Sequence, residues 1–316
     1  MGLAVGWSIG ANDAANSLGA AVGSRVLTLK QAIILISIFG LLGALLQGSH
    51  VARTIGKGIV PINTLDKNLA AHLALVSCFS ACAWIVLATY WKMPISTSHS
   101  IVGAVAGAGL AIHAPVKWKM LGDIFVCWIL TPVGAAILGY IFCLIFMNTL
   151  HRIIPRRYLQ RSLTLLIVIS GCYVAYTWGA NDVANATGVM AGAGIMPVNI
   201  SILLGGAAIV IGIMTWGYKV IETIGSEITN LLPVMAFSAQ LASAANVHVY
   251  TLMGIPVSTS HSIVGAIVGV GFVRGLKVLN LSIMKDMILC WLATPFITGI
   301  ISFVVFKIIL VFVKIA

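Results

Sequence analysis

A repeated acidic motif constrains this chain more than any other feature. Residues 10–16 read GANDAAN and residues 179–185 read GANDVAN, so six of the seven positions are identical. The chain is 60% hydrophobic and only 8% charged, which predicts an integral membrane protein. A carboxylate at membrane depth costs roughly 2.5–3.5 kcal/mol even on the insertion scale. Asp13 and Asp182 are therefore expected to belong to a functional site.

A second motif, rich in hydroxyl groups, follows each acidic motif. Residues 94–104 read PISTSHSIVGA and residues 256–266 read PVSTSHSIVGA, which agree at ten of eleven positions. Two pairs of long motifs in the same order indicate an internal duplication. Shorter matches extend it, namely TIG at 54–56 and 223–225, and WxxTP at 128–132 and 291–295.

The apolar pattern divides the chain into two halves. Because each spanning helix needs about 20 apolar residues, we expect an all-α, polytopic integral membrane protein with about ten transmembrane or re-entrant helical segments, in two inverted repeats with broken helices. The repeats are 1–150 and 162–316, and a basic cytoplasmic connector, 151–161, forms a loop between them. The expected segments are 1–20, 31–50, 69–91, 95–114, 122–148, 162–189, 197–217, 231–253, 257–274 and 285–314, of which 95–114 and 257–274 either span the membrane or re-enter it.

The basic residues predict the orientation. Five crossings in each half, an odd number, would invert the halves relative to one another. With the arginines of the connector in the cytoplasm, more basic residues fall inside than outside, as the positive-inside rule prefers. We therefore expect a multi-pass protein of the cell membrane with both termini outside.

The two motifs supply complementary chemistry. A helix broken within the membrane leaves free carbonyl and N–H groups, and such breaks form ion and substrate sites in transporters. Glycines at 10 and 179 would permit such a break. Hard cations prefer oxygen ligands, so Na⁺ is expected at Asp13 and Asp182. The full expected cation set is Asn12, Asp13, Asn16, Asn181, Asp182 and Asn185, and an oxyanion is expected at Ser96, Thr97, Ser98, Ser258, Thr259 and Ser260.

Neither motif contains Lys or Arg. The charge of a bound anion would have to be met by hydrogen-bond donors and by the cation, which favours cotransport of the two. The alternative is that the small and hydroxyl residues only hold helices together, as such residues often do in membranes. We favour that packing role for the glycines at 103, 107, 265 and 269.

Four further residues are candidates for accessory roles. His99 and His261 are either hydrogen-bonded structural imidazoles or proton-sensitive site residues. Thr54 and Thr223, in the short TIG repeat, are weaker candidates.

Other classes of protein fit the sequence less well. The net charge of +11 could suggest nucleic acid, but the basic residues lie at the ends of apolar runs, so no nucleic-acid partner is expected. An intramembrane hydrolase needs one oriented nucleophile, whereas Ser, His and Asp all occur twice here and there is no GxSxG motif, so we do not expect an enzyme. An anion channel would carry a ring of charged residues, which is not evident.

The duplicated GANDxAN and PxSTSHS stretches closely resemble the inorganic phosphate transporter (PiT) family, and the resemblance covers nearly the whole chain. It implies a secondary active transporter, in the lipid bilayer and as a homodimer, that imports inorganic phosphate by symport with Na⁺ or H⁺ and needs no cofactor. The sulfate permease branch of the same family leaves sulfate as the alternative substrate.

Overall fold

The computed structural model describes residues 1–23, 25–91, 93, 95–218, 221, 231–274 and 281–312, and this part of the chain is helical without any strand. The expected all-α class is therefore confirmed. The helices of the first half are α1 (Gly2–Asp13), α2 (Ala15–Gly23), α3 (Leu29–Arg53), α4 (Lys67–Tyr90), α5 (Thr97–Ala111) and α6 (Trp118–Ile153). Those of the second half are α7 (Arg156–Gly192), α8 (Val198–Gly212), α9 (Pro233–Leu252), α10 (Thr259–Arg274) and α11 (Leu281–Phe312), and π-helical turns extend α3 through Thr54–Gly58 and α8 through Ile213–Gly217.

The outer surface of the bundle suits a bilayer. Among the described residues, six helices are long and apolar enough to cross a membrane, and large apolar side chains such as Leu46, Ile129 and Phe296 are exposed on them. The protein is therefore a multi-pass membrane protein. Helices α1, α2, α5 and α10 fall outside that group of six because they are shorter, and α9, with 20 residues, carries buried polar side chains such as Gln240 and Asn246.

The expectation of a broken helix at each acidic motif is right for one copy and wrong for the other. The first copy is interrupted at Ala14, between α1 and α2, although Ala14 keeps helical dihedral angles (φ −55°, ψ −33°). The second copy lies within α7, an unbroken helix of 37 residues. Both motif glycines instead serve close packing. A Cβ on Gly10 would lie 2.0 Å from the carbonyl oxygen of Ile209, and one on Gly179 would lie 1.9 Å from that of Gly40.

The basic connector at 151–161 is not a loop, which corrects the expectation. Helix α6 continues to Ile153 and α7 begins at Arg156, so only Ile154 and Pro155 separate them. Proline lacks an N–H and restricts the residue before it to extended backbone, and Ile154 is extended accordingly (φ −102°, ψ 121°). The basic residues therefore extend both helices beyond their apolar parts.

Helices α5 and α10 are too short to span a bilayer alone. They contain 15 and 16 residues, which at 1.5 Å per residue gives about 22–24 Å against a hydrocarbon core of about 30 Å. The described residues between α4 and α5 and between α9 and α10 are not helical, and the first residues of both helices, Thr97 and Thr259, are buried. Their N-termini therefore begin inside the protein rather than at its surface.

The two halves interleave instead of folding side by side. Helix α5 packs against α11 of the other half, and α10 packs against α6. Glycines make this possible: a Cβ on Gly103 would lie 2.2 Å from the carbonyl oxygen of Pro295, and one on Gly265 would lie 2.2 Å from that of Pro132. Gly107 and Gly269 meet backbone carbonyls one turn farther on. The predicted packing role of these four glycines is confirmed.

A candidate ion and anion site

Four helices bring the acidic and hydroxyl motifs together in the interior. Asp13 ends α1, Asp182 lies within α7, and the first turns of α5 and α10 contact both carboxylates. Asp13 is 2% exposed and Asp182 is 1% exposed. The two motif pairs therefore converge in the structure, as predicted.

Each carboxylate accepts one hydroxyl from its own half and one from the other half. Asp13 accepts hydrogen bonds from Thr97 (2.9 Å) and from Ser260 (3.3 Å). Asp182 accepts hydrogen bonds from Thr259 (3.2 Å) and from Ser98 (3.4 Å). Thr97 corresponds to Thr259 in the repeat, and Ser98 corresponds to Ser260. The arrangement thus has an approximate twofold symmetry, although the single hydroxyl hydrogen of Ser98 is shared with the closer carbonyl oxygen of Val257 (2.9 Å).

The second asparagine of each acidic motif joins this network across the halves. Asn16 donates from Nδ2 to Ser260 Oγ (2.9 Å), and Asn185 donates from Nδ2 to Ser98 Oγ (3.0 Å). Asn185 Nδ2 also lies 3.4 Å from Asp182 Oδ1. The Oδ1 atom of Asn185 is buried and has no hydrogen-bond partner in the described part of the chain. This oxygen is therefore unpaired among the described residues, on a side chain that belongs to the carboxylate network.

Ser96 and Ser258 hold a different position from their neighbours. Ser96 Oγ accepts from the backbone N–H of His99 (3.3 Å), and Ser258 Oγ accepts from that of His261 (3.2 Å). These are N-cap bonds, which satisfy donors left unpaired at the start of a helix. The structure therefore places both serines as caps of α5 and α10, one residue before the hydroxyls that contact the carboxylates.

The first asparagine of each acidic motif bonds away from the carboxylates. Asn12 donates to Thr89 Oγ1 (2.6 Å) and Asn181 donates to Thr251 Oγ1 (3.0 Å). Sequence reasoning missed both threonines, although they correspond at the same offset as the hydroxyl motifs. Asn181 also bonds the backbone of Ile255 and of Val257, so it anchors the stretch that leads into α10.

The two motif histidines form a buried pair behind the hydroxyls. His99 stacks on Trp128 with ring centroids 3.7 Å apart, His261 lies 3.8 Å from Trp291, and the two imidazoles are 4.6 Å apart. The Nδ1 atom of His99 lies 3.0 Å from the carbonyl oxygen of Trp291. A carbonyl only accepts, so Nδ1 carries the hydrogen atom.

The WxxTP repeat explains why that carbonyl is available. In a helix the carbonyl of residue i accepts from the N–H of residue i+4. Pro295 lies four residues after Trp291 and has no N–H, so the Trp291 carbonyl is left for His99. Of the two roles considered for His99, the geometry matches the hydrogen-bonded structural one.

The predicted accessory threonines are not part of the carboxylate network. Thr54 lies in the π-helical turn after α3 and lines a separate cleft. Thr223 lies outside the described residues.

The carboxylates are buried without a basic partner. In the described part of the chain, no Lys or Arg side chain is buried and no ion pair reaches Asp13 or Asp182. Removing two charges from water without a counter-charge is costly, so the site favours a bound cation or proton. Two helix N-termini and four hydroxyls face the same place, and these groups bind anions. The arrangement can therefore hold a cation beside an oxyanion.

Comparison with known proteins identifies the family. A sequence model of the phosphate transporter family matches residues 9–163 and 154–302. A Pyrococcus abyssi protein named "Putative phosphate permease" is 34% identical, over 98% of this chain and 96% of its own length. A similarly named protein of Chlamydia pneumoniae is 30% identical over 93% of each chain.

A solved structure described as "The sodium-dependent phosphate transporter" agrees in fold as well. It matches with a TM-score of 0.92 at 30% identity, covering 99% of this chain and 98% of its own. The resemblance inferred from the two motifs is thus confirmed over nearly the whole chain, in a family that is not enzymatic. The chain belongs to the phosphate transporter family.

Proposed function

We propose that this protein imports inorganic phosphate across the cell membrane by symport with Na⁺, with both ions bound at the site between α1, α5, α7 and α10. The observation that carries the proposal is the pair of buried carboxylates that share four hydroxyl donors from both halves and have no basic partner in the described part of the chain. The solved structure that is similar over 99% of this chain is described as sodium-dependent.

The carboxylate side of the site suits Na⁺. Asp13, Asp182 and Asn185 Oδ1 offer oxygen atoms only, and no group of three or more His, Cys, Asp or Glu suited to a transition metal occurs among the described residues. A monovalent hard cation between two carboxylates would offset their mutual repulsion. The alternative coupling ion, H⁺, would neutralise one carboxylate covalently and would leave the other for the substrate.

The hydroxyl side of the site suits phosphate. Thr97, Ser98, Thr259 and Ser260 can rotate from the carboxylates toward an anion, and the N–H groups of the first turns of α5 and α10 face the same region. Phosphate near neutral pH retains a proton that a carboxylate can accept. Sulfate is fully ionised and offers no donor, so a neighbouring carboxylate would repel it. This difference favours phosphate over sulfate.

Uptake of radiolabelled phosphate into proteoliposomes tests the proposal. Imposed Na⁺ and H⁺ gradients would be compared separately, and unlabelled sulfate would be added as a competitor. We expect saturable uptake that follows the Na⁺ gradient and is indifferent to sulfate. Uptake that follows only the H⁺ gradient would refute Na⁺ as the coupling ion and assign H⁺ in its place. Inhibition by sulfate at equal concentration would refute the assignment of phosphate as substrate.

A further inference from the structure

A second polar cleft lies apart from the carboxylate site. It has a volume of about 220 Å³ and lies between the end of α3 and the turn after α9. Helix α3 and the turn that follows it contribute three polar side chains and one cation. The lining residues are Ser49, His50, Arg53, Thr54, Leu252, Met253 and Gly254.

Arg53 is the charged group of this cleft and is unpaired among the residues that the structure describes. Its side chain is exposed, and it has no ion pair and no hydrogen bond within the part of the chain that the structure describes. A guanidinium presents a planar fork of N–H donors that matches the oxygens of phosphate. Thr54, beside it in the cleft, adds a hydroxyl. The group of donors is therefore suited to an oxyanion.

The chain segment that forms the far wall of the cleft continues to a residue that contacts the carboxylate site. Gly254 adopts a left-handed conformation (φ 72°), and a Cβ there would lie 3.1 Å from the carbonyl oxygen of His50. Three residues later, the carbonyl of Val257 accepts from Ser98 Oγ at 2.9 Å. An extended chain spans at most about 3.6 Å per residue, so the cleft lies within about 11 Å along this stretch of a residue that contacts the site.

The cationic side chain is not duplicated. The position that corresponds to Arg53 in the second repeat holds Glu222, which lies outside the described residues. Most other chemistry in this protein occurs twice, at Asp13 and Asp182 for example. Because this cation is present in only one half, the two halves carry different charges at this pair of corresponding positions, and so do the two membrane faces if the halves are inverted.

We propose that this cleft is a capture site for the transported oxyanion, in which Arg53 and Thr54 bind phosphate before it passes along the 254–258 stretch to Asp13 and Asp182. The inference builds on the proposed transport of phosphate and adds a second binding position on the pathway. Positive charge at the mouth of a pathway raises the local concentration of an anionic substrate and its rate of association.

The kinetics of Arg53→Gln test the inference. Initial rates of phosphate uptake would be measured at low ionic strength, and Lys67→Gln serves as the matched control. Lys67 is exposed, carries the same charge and lies on the same membrane face as Arg53, because no spanning helix lies between them, but it does not line the cleft. We expect KM to rise about tenfold for Arg53→Gln, with kcat unchanged. A tenfold change is at the low end of the range by which electrostatic focusing raises association rates.

Chemical rescue separates the charge from the side chain. In Arg53→Cys, a methanethiosulfonate reagent with a cationic tail should restore the low KM, and one with an anionic tail should raise KM further. Two controls are treated with the same reagents. One is the unsubstituted protein with its six native cysteines, and the other is Lys67→Cys. Reagents that cannot cross the membrane also report which face carries the cleft, and the outside is expected.

The outcomes separate this inference from the proposed function. If the unsubstituted protein carries no phosphate, the proposed function fails, and the same series is run with sulfate as the transported anion. If it carries phosphate but Arg53→Gln keeps its KM within twofold, the capture site is refuted. A fall in kcat at unchanged KM also refutes it, since a guanidinium that only holds a lipid headgroup or the fold would act in that way.

Discussion

Asp13→Asn is the substitution that tests the cation site most directly. Asn has nearly the shape of Asp and keeps an oxygen for one of the two hydroxyl donors, but it lacks the charge. Two opposite unit charges 4 Å apart at an effective dielectric of about 20 attract by about 4 kcal/mol. Since each 1.4 kcal/mol is about tenfold in affinity, the Na⁺ affinity of Asp13→Asn should fall by about three orders of magnitude.

Thermal unfolding in detergent measures this loss without requiring transport. A bound ligand stabilises by RT ln(1 + [L]/Kd), which is about 2.7 kcal/mol for the unsubstituted protein at a Na⁺ concentration of 100 Kd. A thousandfold weaker site gains less than about 0.1 kcal/mol at that concentration. Without Na⁺, Asp13→Asn should be at least as stable as the unsubstituted protein, because it removes a buried charge and its repulsion of Asp182.

The matched control is Asp123→Asn, which makes the same chemical change at an exposed position in α6. It should keep the full Na⁺ stabilisation. Asp182→Asn should behave as Asp13→Asn does, because the two carboxylates have equivalent hydroxyl partners. Half-saturation by Na⁺ within threefold of the unsubstituted value in Asp13→Asn would refute the assignment of the cation to this site.

Three further predictions follow from neighbouring contacts. Ser98→Ala should raise the KM for phosphate several-fold, whereas Ser96→Ala should cost about 1 kcal/mol of stability as a lost cap and leave KM nearly unchanged; equal KM values in both would contradict the distinction. His99→Phe keeps an aromatic ring but leaves the buried Trp291 carbonyl unpaired, so the free energy of unfolding should fall by about 1–3 kcal/mol. An unchanged melting temperature would contradict the hydrogen bond between His99 and this carbonyl. Gly103→Ala should disrupt folding, because its Cβ would meet a backbone oxygen at 2.2 Å. Gly122→Ala, with nothing within 4 Å, is the control, and similar yields of folded protein for both would refute the packing argument.

The duplication made the site predictable from the sequence. A carboxylate and a set of hydroxyls that each occur twice in an apolar chain have few uses other than a shared binding site. The sequence also indicated which residues lie in it, since Asp13, Asp182, Asn185 and the hydroxyls at 97, 98, 259 and 260 do meet. The hydroxyl contacts of the two carboxylates thus repeat in space as the motifs repeat in the sequence.

The roles of adjacent residues were not predictable in the same way. Ser96 and Ser98 have the same side chain and lie two positions apart, but α5 begins between them, so one caps the helix and the other contacts Asp182. That difference depends on where the helix starts. Likewise, two acidic motifs agree at six of seven positions, but the helix is interrupted in one copy and continuous in the other. Contacts outside the motif therefore decide whether the helix is interrupted.

The partner of His99 shows a third kind of limit. The spacing of Trp291 and Pro295 indicates a free carbonyl from local rules alone. Nothing in the local sequence indicates that His99, 192 residues away, would fill it. The packing of α5 on α11 supplies that information, and it becomes visible only in three dimensions.

The interleaved packing also bears on how such a site could open to either face. Helices α5 and α11 are in backbone contact through Gly103 and Gly107, and α10 and α6 through Gly265 and Gly269. A motion that separated the two sequence halves would have to pull these contacts apart, although they are among the closest in the protein. A motion of α5 with α11, or of α10 with α6, against α1 and α7 would preserve them. It would break the hydroxyl bonds to Asp13 and Asp182, together with the bonds that Asn16 and Asn185 donate to two of the same hydroxyls, and those are the bonds that bound ions would replace. The units that move are therefore expected to be helix pairs drawn from both repeats, and not the repeats themselves.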